Sequence, residues 1–326
     1  MELPRNTPDP QALTKALIGF TPGLPLAVAY SGGADSTALL WACQQKWPGL
    51  VRAVHINHGL QDAASDFEQH AKRFCQANSI PLAVVRVNAT HVTGQSPEDA
   101  ARRARYQALE DALSQHWSGQ VRDMALAQHA QDQIETVVLA LSRGAGLPGL
   151  SGMRTHWVSN GVNFHRPIVQ VSVDDLRAFN HRHGLDWVED PTNADTRYTR
   201  NRIRQNILPP LREAFPEFAQ MLARSAKHIA QAQRLLEELA QMDLLNVGNP
   251  PQIKALQDLG DDRLGNVLRL WLAGEACQAS AAQMQELIHQ VRSCQTRGHH
   301  IELKVGTKRV LRLGENLSLV TIDGLL

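Results

Sequence analysis

Between residues 25 and 190 the chain alternates short apolar runs with longer amphipathic stretches. The runs at 26–30 (LAVAY), 51–57 (VRAVHIN), 81–87 (PLAVVRV) and 123–128 (DMALAQ) read as buried strands. The stretches at 36–45, 63–78, 96–115 and 131–142 carry helical spacing. Strand, helix, strand in this rhythm predicts right-handed βαβ units and a doubly wound parallel sheet covered on both faces. Ligands of such a sheet sit beyond the carboxyl ends of its strands. Past Pro210 the pattern changes: Phe218, Leu222, Ser225, Ile229, Ala232, Leu236 and Leu239 recur at spacings of four and three, the stripe of one long helix. Helical patterns at 262–273 and 281–292 follow, then two strands, at 300–306 and 309–321, predicting a small α+β domain. The expected division is residues 1–215, a linker helix over 216–247, and 248–326.

With 326 residues the chain has room for two domains. A balance of 33 Lys and Arg against 32 Asp and Glu excludes bulk attraction for nucleic acid, so a polyanion site must be a local patch. Two stretches qualify: 196–212, with five arginines and no acid, and 291–312, with six basic residues and one acid. No apolar run is long enough to span a membrane, and the opening MELPRNTPDP lacks the pattern of a leader, so a cytoplasmic location is expected. Cys43, Cys75, Cys277 and Cys294 form no CxxC pair, which argues against a zinc ribbon or a redox motif.

The strongest local signal is Ser31-Gly32-Gly33-Ala34-Asp35-Ser36, placed between the first strand and its helix. Adjacent glycines let the backbone turn its N–H groups toward an anion, and a helix N-terminus adds its dipole. The expected result is a phosphate cradle that is neither a Walker A loop nor a dinucleotide fingerprint. His55 and His58 end the second strand, where such a fold reads ribose and base; a zinc site there lacks completing ligands. Arg102, Arg105 and Tyr106 share one helical face, either a binding surface or a solvated one. Asp132 and Glu135, three apart, also share a face.

Strand-SGGxDS-helix resembles the PP-loop of the ATP pyrophosphatase superfamily (adenine nucleotide alpha hydrolase-like). The order of further stretches is similar to the tRNA(Ile)-lysidine synthetases in their short form: Glu98 with Ala-Arg and Arg-Tyr at 101–106, the run Ala127–Thr136, the turn Ser142-Arg143-Gly144-Ala145-Gly146 with GLSGM at 149–153, Arg166-Pro167-Ile168, Trp187–Asn193 and Tyr198–Arg204. One position departs, Gln131, where that family usually has Asp. The resemblance implies that ATP adenylates C2 of the wobble cytidine of a CAU-anticodon tRNA(Ile), that pyrophosphate leaves, and that free L-lysine displaces AMP. It implies ATP and Mg²⁺ as cofactors, ATP at residues 31–36 with His55 and His58, and the metal at Asp35. Asp35, His129, Asp132, Glu135 and Arg200 are implied as catalytic, and Arg102, Arg105, Arg143, Arg200 and Arg204 as binding lysine or tRNA. A homodimer is compatible with it. The rivals are a PP-loop tRNA 2-thiolation enzyme, against which the cysteine spacing speaks, and a tRNA-binding protein without catalysis, for which Gln131 speaks.

Overall fold

The apolar run Leu26–Ala29 forms β1, the strand on which the rest is built. In the computed structural model, which describes residues 7–57, 63–87, 97–296, 298–306 and 308–321, the chain divides into two compact units, Met1–Lys227 and His228–Leu326. The first unit opens with α1 (Ala12–Ile18) and continues after β1 with α2 (Ala34–Lys46), β2 (Val51–Asn57), α3 (Ala63–Ala77), β3 (Leu82–Arg86), α4 (Pro97–Trp117), β4 (Asp123–Ala125) and α5 (Ala130–Ser142). After a single turn, α6 (Leu147–Leu150), come β5 (His156–Ser159), β6 (Val162–His165) and α7 (Val173–Arg182).

The six strands lie in the order β3-β2-β1-β4-β6-β5, all parallel except the edge strand β5. Side chains alternate between the two faces, as the period of a strand requires. Val28, Val51 and Ala53 pack with residues of α1, α2, α3 and α7, whereas Ala27, Val54, Met124 and Phe164 pack with Leu109, Ala112 and Leu113 of α4. The chain steps from β1 outward to β3 and then returns to the other side of β1 as β4. The strand order therefore reverses between β1 and β4, and the crevice beyond their carboxyl ends is the binding position of such a sheet.

The β5–β6 hairpin was not among the expected strands. Its signal is Asn160-Gly161, both at positive φ (46° and 76°), a pair that a two-residue hairpin turn favours. The strands are only four residues each, and Trp157 of one stacks on Phe164 of the other. β4 is also shorter than expected: Leu126 makes a last bond to the His165 carbonyl (2.8 Å), and the chain then runs on to α5.

Beyond α7, the arginine-rich stretch folds as α8 (Thr199–Arg202), a π-helical turn (Ile203–Ile207) and α9 (Leu208–Ala214). Ile203 and Leu208 bury themselves with Ile134 and Leu139 of α5, so this stretch is packed on that helix.

The expected long helix is α10 (Phe218–Val247). Its fully buried positions are Ala226, Ala240, Asp243 and Val247, whereas Ser225, Ala232 and Leu236 of the sequence stripe are exposed. The second unit takes the helix from His228 onward, where the expectation had a linker running to residue 247. There Val247 joins a core with α11 (Ile253–Gln257), α12 (Asp261–Gly274) and α13 (Ala281–Ser293). Three antiparallel strands complete the unit: β7 (Glu302–Val305), β8 (Lys308–Leu313) and β9 (Asn316–Thr321). The single strand expected over 309–321 is two, divided by a turn in which Gly314 adopts φ +63°.

Candidate active site

The Ser31–Ser36 loop occupies the switch point. Gly32 sits at φ +89°, a conformation that disfavours any side chain, and Gly33 caps α2. The two serines lock the turn from within. Their hydroxyls lie 2.9 Å apart, Ser36 Oγ donates to the Gly33 carbonyl (3.0 Å), and the Ser31 N–H donates to Ser36 Oγ (3.2 Å). From outside, the Val188 N–H holds the Gly32 carbonyl (3.0 Å) and Asn180 Nδ2 holds the Ala34 carbonyl (2.9 Å). The carbonyls are thus tied back, while the first N–H groups of α2 have no partner within the helix and face an anion site with the positive end of its dipole.

Across the crevice, β4 delivers the N-terminus of α5. His129 is its cap: its Nδ1 accepts from the Gln131 N–H (3.2 Å), and Asp132 Oδ2 accepts from the His129 N–H (3.1 Å). An accepting Nδ1 leaves the proton on Nε2. That nitrogen lies 3.4 Å from Asp35 Oδ2 and 3.5 Å from Asp132 Oδ2, so the imidazole bridges the loop carboxylate and the helix carboxylate. Burial pulls the His129 pKa down, but the bond to Asp35 and the charges of Asp132 and Asp35 outweigh it, and the net direction is up. Asp35 Oδ1 is buried and has no protein partner.

Glu135 follows one turn later, fully buried. Arg204 grips it through two bonds, Nε to Oε1 at 2.7 Å and Nη2 to Oε2 at 3.3 Å, and also reaches Asp132 Oδ1 at 3.7 Å. Burial opposes the Arg204 charge, yet the bond and charge of Glu135, with Asp132 and Asp35 behind it, raise its pKa. Gln131 completes this corner: its Nε2 donates to Glu135 Oε1 (3.3 Å) and its Oε1 accepts from Arg212 Nη2 (3.1 Å). The amide thus links α5 to α9.

On the other side of Asp132 lies a group of arginines around Tyr106. Arg102 and Arg166 both donate to its hydroxyl, at 3.3 and 2.9 Å. Burial lowers the Arg105 pKa, Tyr106 opposes the shift, and the charges of Arg102 and Arg200 add to it. Asp132 also acts on Arg105, so these groups share one neighbourhood.

The structure therefore brings together Ser31–Ser36, His129, Asp132, Glu135 and Arg204, with Arg102, Arg105 and Arg200 beside them. Glu135, expected as catalytic, lies against Arg204 instead of the open crevice, a place that fits a positioning role. His55 is buried at the end of β2 with Nδ1 at 2.9 Å from the Tyr30 carbonyl, directly before the loop; His58 lies outside the described residues, as does the Glu98 side chain. Arg143 is not brought here. It caps the far end of α5, about 20 Å from His129 at 1.5 Å per residue, and its side chain is exposed. Arg166 and Gln128 were missed as site residues. Arg166 is 4% exposed, and its place in the Arg166-Pro167-Ile168 stretch was the available signal.

In the second unit the basic stretch is largely neutralised locally. Arg292 pairs with Asp261, Lys308 with Glu275 and Arg309 with Glu302, while Arg312 donates to the Thr296, His299 and Gly314 carbonyls. Arg297 lies outside the described residues.

A PP-loop domain profile matches residues 11–211, and a TilS substrate binding domain profile matches residues 252–314. The chain is 53% identical over 294 residues to the tRNA(Ile)-lysidine synthase of Polaromonas naphthalenivorans, covering 90% of this chain and 89% of that protein. It is 39% identical over 291 residues to the one of Burkholderia pseudomallei, covering 86% of this chain but 59% of that longer protein. Among solved structures, a tRNA thiolase from Methanococcus maripaludis superposes with a TM-score of 0.57 at 14% identity, over 68% of this chain and 78% of that one, a likeness of fold alone. With the loop, the α5 corner and both profiles in sequence order, the chain belongs to the tRNA(Ile)-lysidine synthase family.

Proposed function

We propose that the protein ligates L-lysine to C2 of the wobble cytidine of a CAU-anticodon tRNA(Ile) in the cytoplasm, through an adenylated cytidine, with ATP and Mg²⁺. The observation that carries the reading is the meeting of Asp35 and Asp132 on one imidazole at the switch point. The α2 N–H groups and the Ser31–Ser36 turn hold the β- and γ-phosphates, so that pyrophosphate leaves against preorganised donors. Mg²⁺ is bound through one or two carboxylates and substrate phosphates. Asp35 fits that need, since its Oδ1 is buried without a protein partner. Among the described residues no cluster of three acidic, His or Cys side chains could hold a metal unaided, which suits an ion that arrives with nucleotide. When bound, it neutralises charge on the phosphates.

The second step needs a neutral amine. Because His129 Nε2 already carries its proton and faces both carboxylates, the partly open Asp132 is the group placed to hold the lysine ammonium and take its proton. Arg204, fixed by Glu135, lies 3.7 Å from Asp132 Oδ1 and helps to hold that carboxylate in place. The thiolation rival needs a reactive thiolate, yet Cys43 and Cys75 are buried in the core and their thiols are pushed up to about 12 by that burial. Mass analysis of nucleosides from tRNA incubated with ATP, Mg²⁺ and lysine tests the reading. Lysidine is the expected product, and its absence with unmodified cognate tRNA would overturn it.

A further inference from the structure

Tyr106 stands on α4 with its ring edge-on to Phe164 (5.4 Å, 82°) and to Trp157 (5.7 Å, 73°), a seat that fixes the position of its hydroxyl. Both partners of that oxygen among the described residues are guanidinium groups, Arg166 Nη2 at 2.9 Å and Arg102 Nη2 at 3.3 Å. A guanidinium has five N–H donors and no acceptor, so the hydroxyl must accept in both contacts. Its own proton then points elsewhere, and no described residue accepts it. Arg166 cannot swing away. Its Nε donates to Gln128 Oε1 (2.9 Å), its Nη1 donates to the Arg154 carbonyl, and its face lies 4.1 Å over the Trp157 ring. Arg102 and Arg105 approach the Tyr106 ring at 5.2 and 5.9 Å, and none of the three arginines pairs with a carboxylate among the described residues. Three crowded positive charges and one unclaimed O–H donor describe a receptor for an anion.

We propose that the Tyr106 hydroxyl donates its proton to a substrate oxyanion, a carboxylate or a phosphate oxygen, drawn in by Arg102 and Arg105, with Arg166 as the residue that positions the phenol. This rests on the ligase reading only in that the anion is carried by lysine, ATP or tRNA. Two acceptor lone pairs filled by cationic donors polarise the O–H bond, which strengthens its donation to an anion.

The deciding variant is Tyr106→Phe, which keeps the ring against Phe164 and Trp157 and removes only the oxygen. Equilibrium binding of lysine, lysinamide, ATP and tRNA to the full chain is compared with the unaltered protein, alongside KM and kcat. One anionic ligand is expected to bind roughly ten- to a hundredfold more weakly, the range for a hydrogen bond to a charged group. A loss for lysine but not for lysinamide identifies the amino acid carboxylate. A loss for tRNA or for ATP, with lysine unchanged, identifies a phosphate of that molecule. Affinities all within twofold of the unaltered protein overturn the proposal. Arg166→Lys keeps the charge and loses the planar fork; it is expected to add little to the loss in the Tyr106→Phe background, and fully additive losses overturn the positioning role. Binding is measured without turnover, so a protein that makes no lysidine would refute the ligase reading and leave this test intact.

Discussion

Two arginine–glutamate pairs, one in each unit, show how differently the same chemistry can be used. Arg204 and Glu135 meet at 2.7 Å with the glutamate wholly buried, at the corner where α5 and the π-helical turn converge on the nucleotide loop. Arg309 and Glu302 meet at 2.6 Å across β7 and β8, with both side chains about half exposed. In the first pair the glutamate is out of reach of water while a third of the arginine side chain is exposed, so the buried carboxylate depends on its partner. The second is bathed in solvent, and its energy is small whatever its length. In the sequence the first pair is 69 residues apart and the second seven, and neither spacing tells which pair is buried. Burial, more than distance, decides which pair the protein cannot do without.

The largest expected effect follows at the buried corner. Glu135→Ala leaves Arg204 only its longer contact with Asp132, and breaking a buried pair typically costs up to about 3–5 kcal/mol. Chemical denaturation should show that loss, and Glu135→Gln, which keeps an acceptor for Arg204, should lose less. A Glu135→Ala protein as stable as the original would place this pair with the surface ones.

Second comes the loop. Asp35→Ala removes the carboxylate that faces His129 and the unpartnered Oδ1 proposed for Mg²⁺. Adenylation, followed as tRNA-dependent ATP–pyrophosphate exchange, is expected to fall roughly 10²–10³-fold, the scale of losing one well-placed group at developing charge. The fold should survive, because the side chain faces the crevice and not the core; a normal exchange rate would remove Asp35 from the chemistry.

Glu68 lies between these extremes and makes the comparison depend on pH. It bonds Lys72 (2.6 Å) and Asn57 (2.8 Å), and these contacts, Lys72 first, hold its pKa at about 2 against an ordinary 4.5. A depressed carboxylate contributes stability that is present above pH 4.5 and lost as pH falls through 4.5 toward 2. Glu68→Gln should therefore lower stability at neutral pH, and the difference from the original protein should close in that acid window. A difference that stays constant from pH 6 to pH 3 would show that the contacts, and not the charge, matter.

The parallel core of the first unit was legible because its strands are continuous apolar runs between helical stretches, and the loop because Gly32 and Gly33 sit directly after one. What stayed hidden was whatever depends on partners remote in sequence. Glu135 reads as an active-site acid until Arg204, 69 residues away, occupies both its oxygens. Arg143 reads as part of the α5 motif, yet the length of that helix carries it away from the loop. Arg166 was legible only as part of the Arg166-Pro167-Ile168 stretch, since its role comes from Tyr106, Trp157 and Gln128, three separate segments. The Gln131 departure also has a local sense here, as its amide serves Glu135 and Arg212 together, where a carboxylate could accept from Arg212 but not donate to Glu135.

The smallest expected effect tests the surface side of the comparison. Lys308 and Arg309 are already paired with Glu275 and Glu302, so replacing either by alanine should change stability by no more than about 1 kcal/mol. Their contribution to tRNA binding should be small for the same reason, because each must leave an acid to meet a phosphate. Lys304, exposed on β7 and without an ion pair among the described residues, has no such competitor. Measured against salt concentration, Lys304→Ala is expected to flatten the slope of tRNA affinity by up to about 0.9, the value for one lost phosphate contact, and Arg309→Ala by clearly less. If Arg309→Ala flattened it as much as Lys304→Ala, the pair with Glu302 would open on binding, and local ion pairing would no longer separate the residues that hold tRNA from those that hold the strand.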